Sequence, residues 1–171
     1  MKSFTKKSLV VSLLAGIVGL ASSSAMAGSV TANFQATASI AATCVVSATN
    51  VAFGSFTPAA SGNAAATGTI TSTCTKSTPY TLAINAGSST SIPARTMAGA
   101  LTGNTDKLAY NLYTDSGHTT IFGDGTTGNG SNVSLTGSGV AQSTSVYGNL
   151  SLNQYLTPDN YADTLTVTLA Y

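Results

Sequence analysis

The chain has 171 residues, with only 6% charged and 43% hydrophobic, six Lys and Arg against five acidic residues, one His and no Trp. So few charges, and no basic stripe, argue against nucleic acid or an anionic membrane surface as a partner. The length suits one domain, and no internal repeat divides it.

Residues 1–27 read as a secretory leader. Lys2, Lys6 and Lys7 precede the apolar run LVVSLLAGIVGL, and the small-residue stretch ASSSAMA ends in a cleavage site after Ala27. A membrane anchor is the alternative, but the run is shorter than the ~20 residues a spanning helix needs. Export leaves Lys76, Arg95 and Lys107 against five aspartates and no glutamate.

The next stretch alternates strictly. Val30, Ala32, Phe34, Ala36, Ala38 and Ile40 are apolar with polar residues between them, and the same phase runs on through Ala42, Cys44 and Val46. As one strand at ~3.3 Å per residue it would extend about 55 Å, against a radius of gyration of about 15 Å for a domain of this size. Either the chain bends partway or its first residues project beyond the fold and complete another molecule's sheet. Pairing of both chain ends within one molecule is the plainer alternative.

Cys44 and Cys74 are the two cysteines of the exported part, so a disulfide is expected and only one pairing is available. A metal pair or redox dithiol is the competing reading, but there is no CxxC spacing and no His or carboxylate nearby in sequence.

Downstream, period-two segments punctuated by Gly, Pro and Asn predict strands at 50–56, 68–74, 80–86, 107–114, 119–123, 145–153 and 161–171. The class is all-β, and this spacing suggests a two-sheet sandwich of immunoglobulin-like kind. Asp115-Ser116-Gly117 predicts a tight hairpin, and Pro158-Asp159-Asn160 a turn before the last strand. Residues 58–67, 87–106 and 124–134 read as loops. The sequence stops inside the last predicted strand, whose Leu165, Val167, Leu169 and Tyr171 share a face, and an unprotected edge is a template for pairing.

No motif carries catalysis. His118 follows a turn-like TDSG stretch and reads as a solvated turn histidine rather than part of a triad. The aspartates are scattered, so no carboxylate pair for glycoside hydrolysis stands out. The loop 124–132 has one carboxylate where a calcium loop needs several, and it lacks a phosphate-binding motif. Asn132 and Asn149 open glycosylation-type triplets, a common chance pattern. Arg95 is expected to bridge to a carboxylate and brace its long loop. Tyr80, Tyr110, Tyr147 and Tyr161 read as core or rim packing, with an aromatic carbohydrate platform as the alternative.

Taken in order, CVVSATNVAFGSF at 44–56, Cys74, PY at 79–80, RTM at 95–97, LAYNLYTD at 108–115, FGDG at 122–125, VYG at 146–148 and the closing YADTLTVTLAY resemble the spore coat protein U domain family. That family includes subunits of archaic chaperone-usher pili of the Csu type. The resemblance covers essentially all of the chain after the leader.

It implies an incomplete immunoglobulin-like sandwich, residues 39–171, preceded by a donor-strand extension at 28–38. A periplasmic chaperone lends a strand to the groove, and at the outer-membrane usher the extension of another pilin subunit, in a homo- or hetero-polymer, replaces it. On this resemblance Val30, Ala32, Phe34, Ala36 and Ala38 are the donor strand, Cys44 and Cys74 match the family's disulfide, and the strand with Leu165, Val167, Leu169 and Tyr171 is the chaperone-docking edge. The implied product is a cell-surface pilus serving adhesion and biofilm formation, with no enzyme activity and no cofactor. A secreted coat or matrix protein and a monomeric carbohydrate-binding module are the alternatives.

Overall fold

The computed structural model describes residues 26–171, so the expected leader lies outside the described residues except for Met26 and Ala27. The chain divides between Ala38 and Ser39 into two units. In the first, residues 26–38 have no regular secondary structure and are exposed, Val30 and Phe34 among them.

The second unit carries ten antiparallel strands: β1 (Cys44–Ala48), β2 (Asn63–Cys74), β3 (Pro79–Ile84), β4 (Thr96–Gly99), β5 (Lys107–Ala109), β6 (Asn111–Tyr113), β7 (Val133–Thr136), β8 (Gln142–Ser151), β9 (Tyr161–Ala162) and β10 (Val167–Ala170). They form three sheets in the orders β1-β2-β8-β6, β10-β3-β7 and β5-β4-β9.

The long pair β2 and β8 forms the backbone of the first sheet, from Asn63 opposite Ser151 to Ser72 opposite Gln142. Along β2, Ile70, Ser72 and Cys74 are buried, whereas Thr69, Thr71 and Thr73 stay half-exposed, a β-branched row suited to a pleated face. Tyr80, Leu82 and Ile84 of β3 join Ile70, Val146 and Leu150 in one apolar cluster between the sheets. Ser72 is a polar intruder there, and its hydroxyl meets the Tyr80 hydroxyl at 2.7 Å across the layers. Burial of such a group is tolerable only when it is hydrogen-bonded.

Several expected strands are divided or absent, each for a local reason. The alternation from Val30 to Val46 becomes a strand only at Cys44; residues 26–43 are in no ladder. Residues 50–56 are not a strand either, although Val51, Phe53 and Phe56 pack against the core. The expected strand 107–114 breaks at Tyr110 and passes from the third sheet to the first.

Residues 161–171 break at 163–166, where side chains take over from the ladder except at the Thr166 carbonyl, which accepts from the Asn85 amide at 3.2 Å: the Asp163 carboxylate accepts from the Ser88 amide at 2.9 Å, and the Asn85 amide oxygen accepts from the Thr166 amide at 2.9 Å. Residues 119–123 make isolated bridges only. Conversely, β4, the first half of β7 and the start of β2 fall in expected loops. β4 buries a single side chain, Met97, so it leaves almost no periodic signal.

Arg95 corrects another expectation. It is fully buried, and its acceptors are oxygens of amides rather than of a carboxylate. Nε and Nη2 donate to the Asn85 carbonyl, Nη2 also to the Ile84 and Phe122 carbonyls at 3.1 and 2.9 Å, and Nη1 to Asn111 Oδ1 at 2.8 Å. Burial lowers its pKa, and the nearby Tyr110, Asp163 and Asp124 oppose the shift; a guanidinium still stays charged. One fork thus ties the end of β3 to β6 and Phe122.

Arg95→Met should therefore lower the unfolding free energy by about 4 kcal/mol, because several buried carbonyls lose their donors at once. Arg95→Lys should fail to restore it, since an ammonium cannot span that fork. Urea denaturation checks both, and a midpoint unchanged in the Lys variant would contradict the geometry.

Candidate functional site

The sandwich is not closed on every side. Val51, Phe53, Phe56, Leu156, Tyr161, Leu165 and Val167 remain only half-buried against the core. Between them runs a groove of about 1020 Å³ whose floor includes Ile70, Ile84, Leu108, Leu112, Val146 and Leu150.

One rim starts from β1. Cys44 and Cys74 are direct cross-strand partners and form a disulfide, which pins the start of β1 to the end of β2. The Thr49 amide still donates to the Thr69 carbonyl at 2.9 Å, and the Ala59 amide to the Leu152 carbonyl at 2.9 Å. Between these points, residues 50–58 make no backbone hydrogen bond among the described residues. Their side chains hold the segment instead. Phe53 meets the Tyr110 ring edge to face, with centroids 6.2 Å apart, a favoured aromatic geometry.

The other rim runs along 156–167. Asp163, Thr164 and Leu165 also lack backbone hydrogen bonds among the described residues. Asp163 is instead a side-chain hub, accepting from the Ser88 amide and hydroxyl at 2.9 and 2.8 Å and from the Tyr110 hydroxyl at 2.7 Å. Burial, then the bond to Asp163, pushes the Tyr110 phenol well above its ordinary range, so it remains a donor. Two unpaired rims over an apolar floor offer what an extended strand needs: ladder partners on its edges and contacts for alternate side chains.

The expected site residues divide between these features. Leu165 and Val167 line the groove, Leu165 just before β10 and Val167 as its first residue. Leu169 lies on β10, while Tyr171 is beyond its end and 63% exposed. β10 is an outer strand of its sheet. Val30, Ala32, Phe34, Ala36 and Ala38 are all exposed and in no strand. Sequence reasoning missed the Tyr110–Asp163 bond and the loose rim at 50–58; the apolar positions Val51 and Phe53 signalled burial there but gave no sign that backbone pairing would be absent.

The other polar candidates serve local structure. Amides of Thr120 and Thr119 hold the Asp115 carboxyl below its ordinary pKa and close the predicted hairpin. His118 packs its ring against Tyr113 and meets Asn149 at 3.2 Å. In the 124–132 loop, Thr126 and Asn129 bond to Asp124 and tie the loop to itself. Among the described residues no three His, Cys, Asp or Glu side chains converge as a metal site.

These features define an all-β protein with an immunoglobulin-like sandwich left open along one side. The chain belongs to the Spore Coat Protein U domain family, which matches residues 30–168. Its fold is also similar to a chain in the crystal structure of the CsuC-CsuE chaperone-tip adhesion subunit pre-assembly complex from archaic chaperone-usher Csu pili of Acinetobacter baumannii. The TM-score is 0.52 at 22% identity, and the match covers 77% of this chain and 40% of that one. This likeness is one of fold. No curated protein matches.

The disulfide is the covalent tether of the first rim, and it closes a loop of sequence separation 30. Replacing both cysteines by serine should cost about 3.5 kcal/mol on the chain-entropy account. Urea unfolding of the double variant beside the native chain checks this, and equal midpoints would contradict it.

Proposed function

We propose that this chain is a structural subunit of a chaperone-usher surface pilus and polymerises by donor-strand exchange. The observation that carries the reading is the groove, with an apolar floor and rims at 50–58 and 163–165 that lack backbone partners among the described residues. The sequence supplies a matching piece. Residues 30–38 alternate apolar and polar, bear no charge, and are as long as the unpaired rim.

In this reading residues 28–38 are the donor extension and 39–171 the acceptor domain. Val30, Ala32, Phe34, Ala36 and Ala38 enter the groove of a neighbouring subunit, with Phe34 as the largest anchor. Before assembly a periplasmic chaperone fills the same groove and docks along β10 and its flanks, where Leu165, Val167, Leu169 and Tyr171 supply the apolar face. The outer-membrane usher then exchanges the chaperone for the next subunit's extension. Membership of the Spore Coat Protein U family and the fold shared with a chain of a Csu chaperone-subunit complex both support this assignment. Periplasmic transit, a place in a cell-surface pilus, and service in adhesion and biofilm formation follow from it.

Phe34→Asp tests the reading. The side chain is 92% exposed in the single chain, so the substitution should leave its thermal melting unchanged. Inside a neighbour's apolar groove the carboxylate would be unpaired, at a cost of several kcal/mol, and electron microscopy should find no fibres on cells. Abundant normal fibres would rule out this strand as the donor.

A further inference from the structure

The segment from Val51 to Phe56 reaches the core without a ladder to hold it. What lets it lie against the four-stranded sheet is the absence of two side chains. A Cβ placed on Gly148 of β8 would stand 2.6 Å from Val51 Cγ1 and 2.7 Å from Phe53 Cζ. One placed on Gly68 of β2 would stand 2.8 Å from Val51 Cγ2 and 3.0 Å from the Thr49 carbonyl oxygen. Carbon atoms pack favourably from ~3.5 Å, so alanine at either position would lift the segment by up to about 1 Å. Neither glycine has a positive φ, and close approach is what each one permits.

The two glycines lie on neighbouring strands, Gly68 opposite Val146 and Gly148 opposite Ala66. Ala64 and Ala66 continue the same small inner face of β2. The sheet therefore has a shallow bed just where Val51 and Phe53 rest.

We infer that Gly68 and Gly148 are positioning residues that set the depth of the groove and thereby the size of strand it admits. They seat Val51 and Phe53 low, so the chain fills part of its own floor and leaves room for an alanine-rich strand with one aromatic anchor. Residues 30–38 of a second copy of this chain are such a strand. The inference rests on the donor-strand reading above. Its basis is volume: Ala32, Ala36 and Ala38 bring only methyl groups to positions where a close-packed core requires filled space, and Val51 and Phe53 supply what those positions lack. No charged residue occurs from Gly28 to Thr75, so neither the donor strand nor this part of the floor brings a charge into the apolar contact.

The test is uptake of a fluorescent peptide of residues 28–43 by the full chain, followed by anisotropy, with thermal melting and thiol titration of each variant. Gly148→Ala should melt cooperatively with its disulfide intact and take up the peptide roughly tenfold more slowly. Adding Val51→Ala and Phe53→Leu to it should restore uptake by returning space to the new Cβ. In the opposite sense, Val51→Ala alone should favour a larger donor. At least one peptide carrying Ala32→Leu, Ala36→Leu or Ala38→Leu should then bind roughly tenfold better than it does to the native chain.

A Gly148→Ala chain that folds and takes up the peptide at the native rate overturns the inference. Should Gly148→Ala not fold, Val51→Ala decides, and no gain for any leucine peptide overturns it. Failure of the native chain to take up the native peptide would remove the donor-strand reading itself and this inference with it.

Discussion

Backbone amides and carbonyls beside an apolar core must find partners, and this constraint governs the molecule. Segments 50–58 and 163–165 both contribute to the lining of the groove and have no backbone partners among the described residues. Water can serve them while the groove is open, but the half-buried side chains between them favour exclusion of water. A further strand meets both demands at once, by pairing with the rims and covering the apolar floor. In the proposed function an unfinished sandwich serves as a binding site without any specialised side chain, which fits a chain so poor in charge.

On that reading the rest of the domain has to hold the groove open. Covalent and polar ties hold the elements from which the rims extend. The disulfide fixes the start of β1, and the Arg95 fork joins β3, β6 and Phe122. Asp163 draws Tyr110 and Ser88 to one rim. A buried polar group such as Arg95 is costly when unpaired and strongly orienting when paired, so it fixes the elements it joins more sharply than apolar contact would. The segment around Val51 and Phe53 has no such tie among the described residues, and there two glycines decide how low it lies.

Much of the fold was legible in the sequence, because the long strands carry the signal. β2, β3 and β8 announce themselves by alternation, and Cys44 and Cys74 by their number and expected compartment. Where legibility failed, tertiary context decided. Nothing in the sequence tells that the chain changes sheet at Tyr110, since Leu108, Tyr110 and Leu112 keep one apolar phase, and the break shows only in the fold, where the polar Asn111 between them is buried too. The expected strand at 50–56 had the right apolar positions, but a strand also needs a neighbour. The same holds for residues 30–38, whose pattern is that of a strand while their place in this single chain is exposed. Arg95 was expected to seek a carboxylate; its acceptors are carbonyls and an amide from elements far apart in sequence, which no local pattern encodes.

Amide hydrogen exchange at residues 50–58 and 163–165, compared between the isolated chain and the assembled polymer, tests the central claim most directly. The account predicts fast exchange at both rims in the isolated chain, with strong protection of their ladder-facing amides on assembly, while β2 and β8 are protected in both states. Rims that exchange equally fast in the polymer would mean that no strand occupies the groove, and the account would fail.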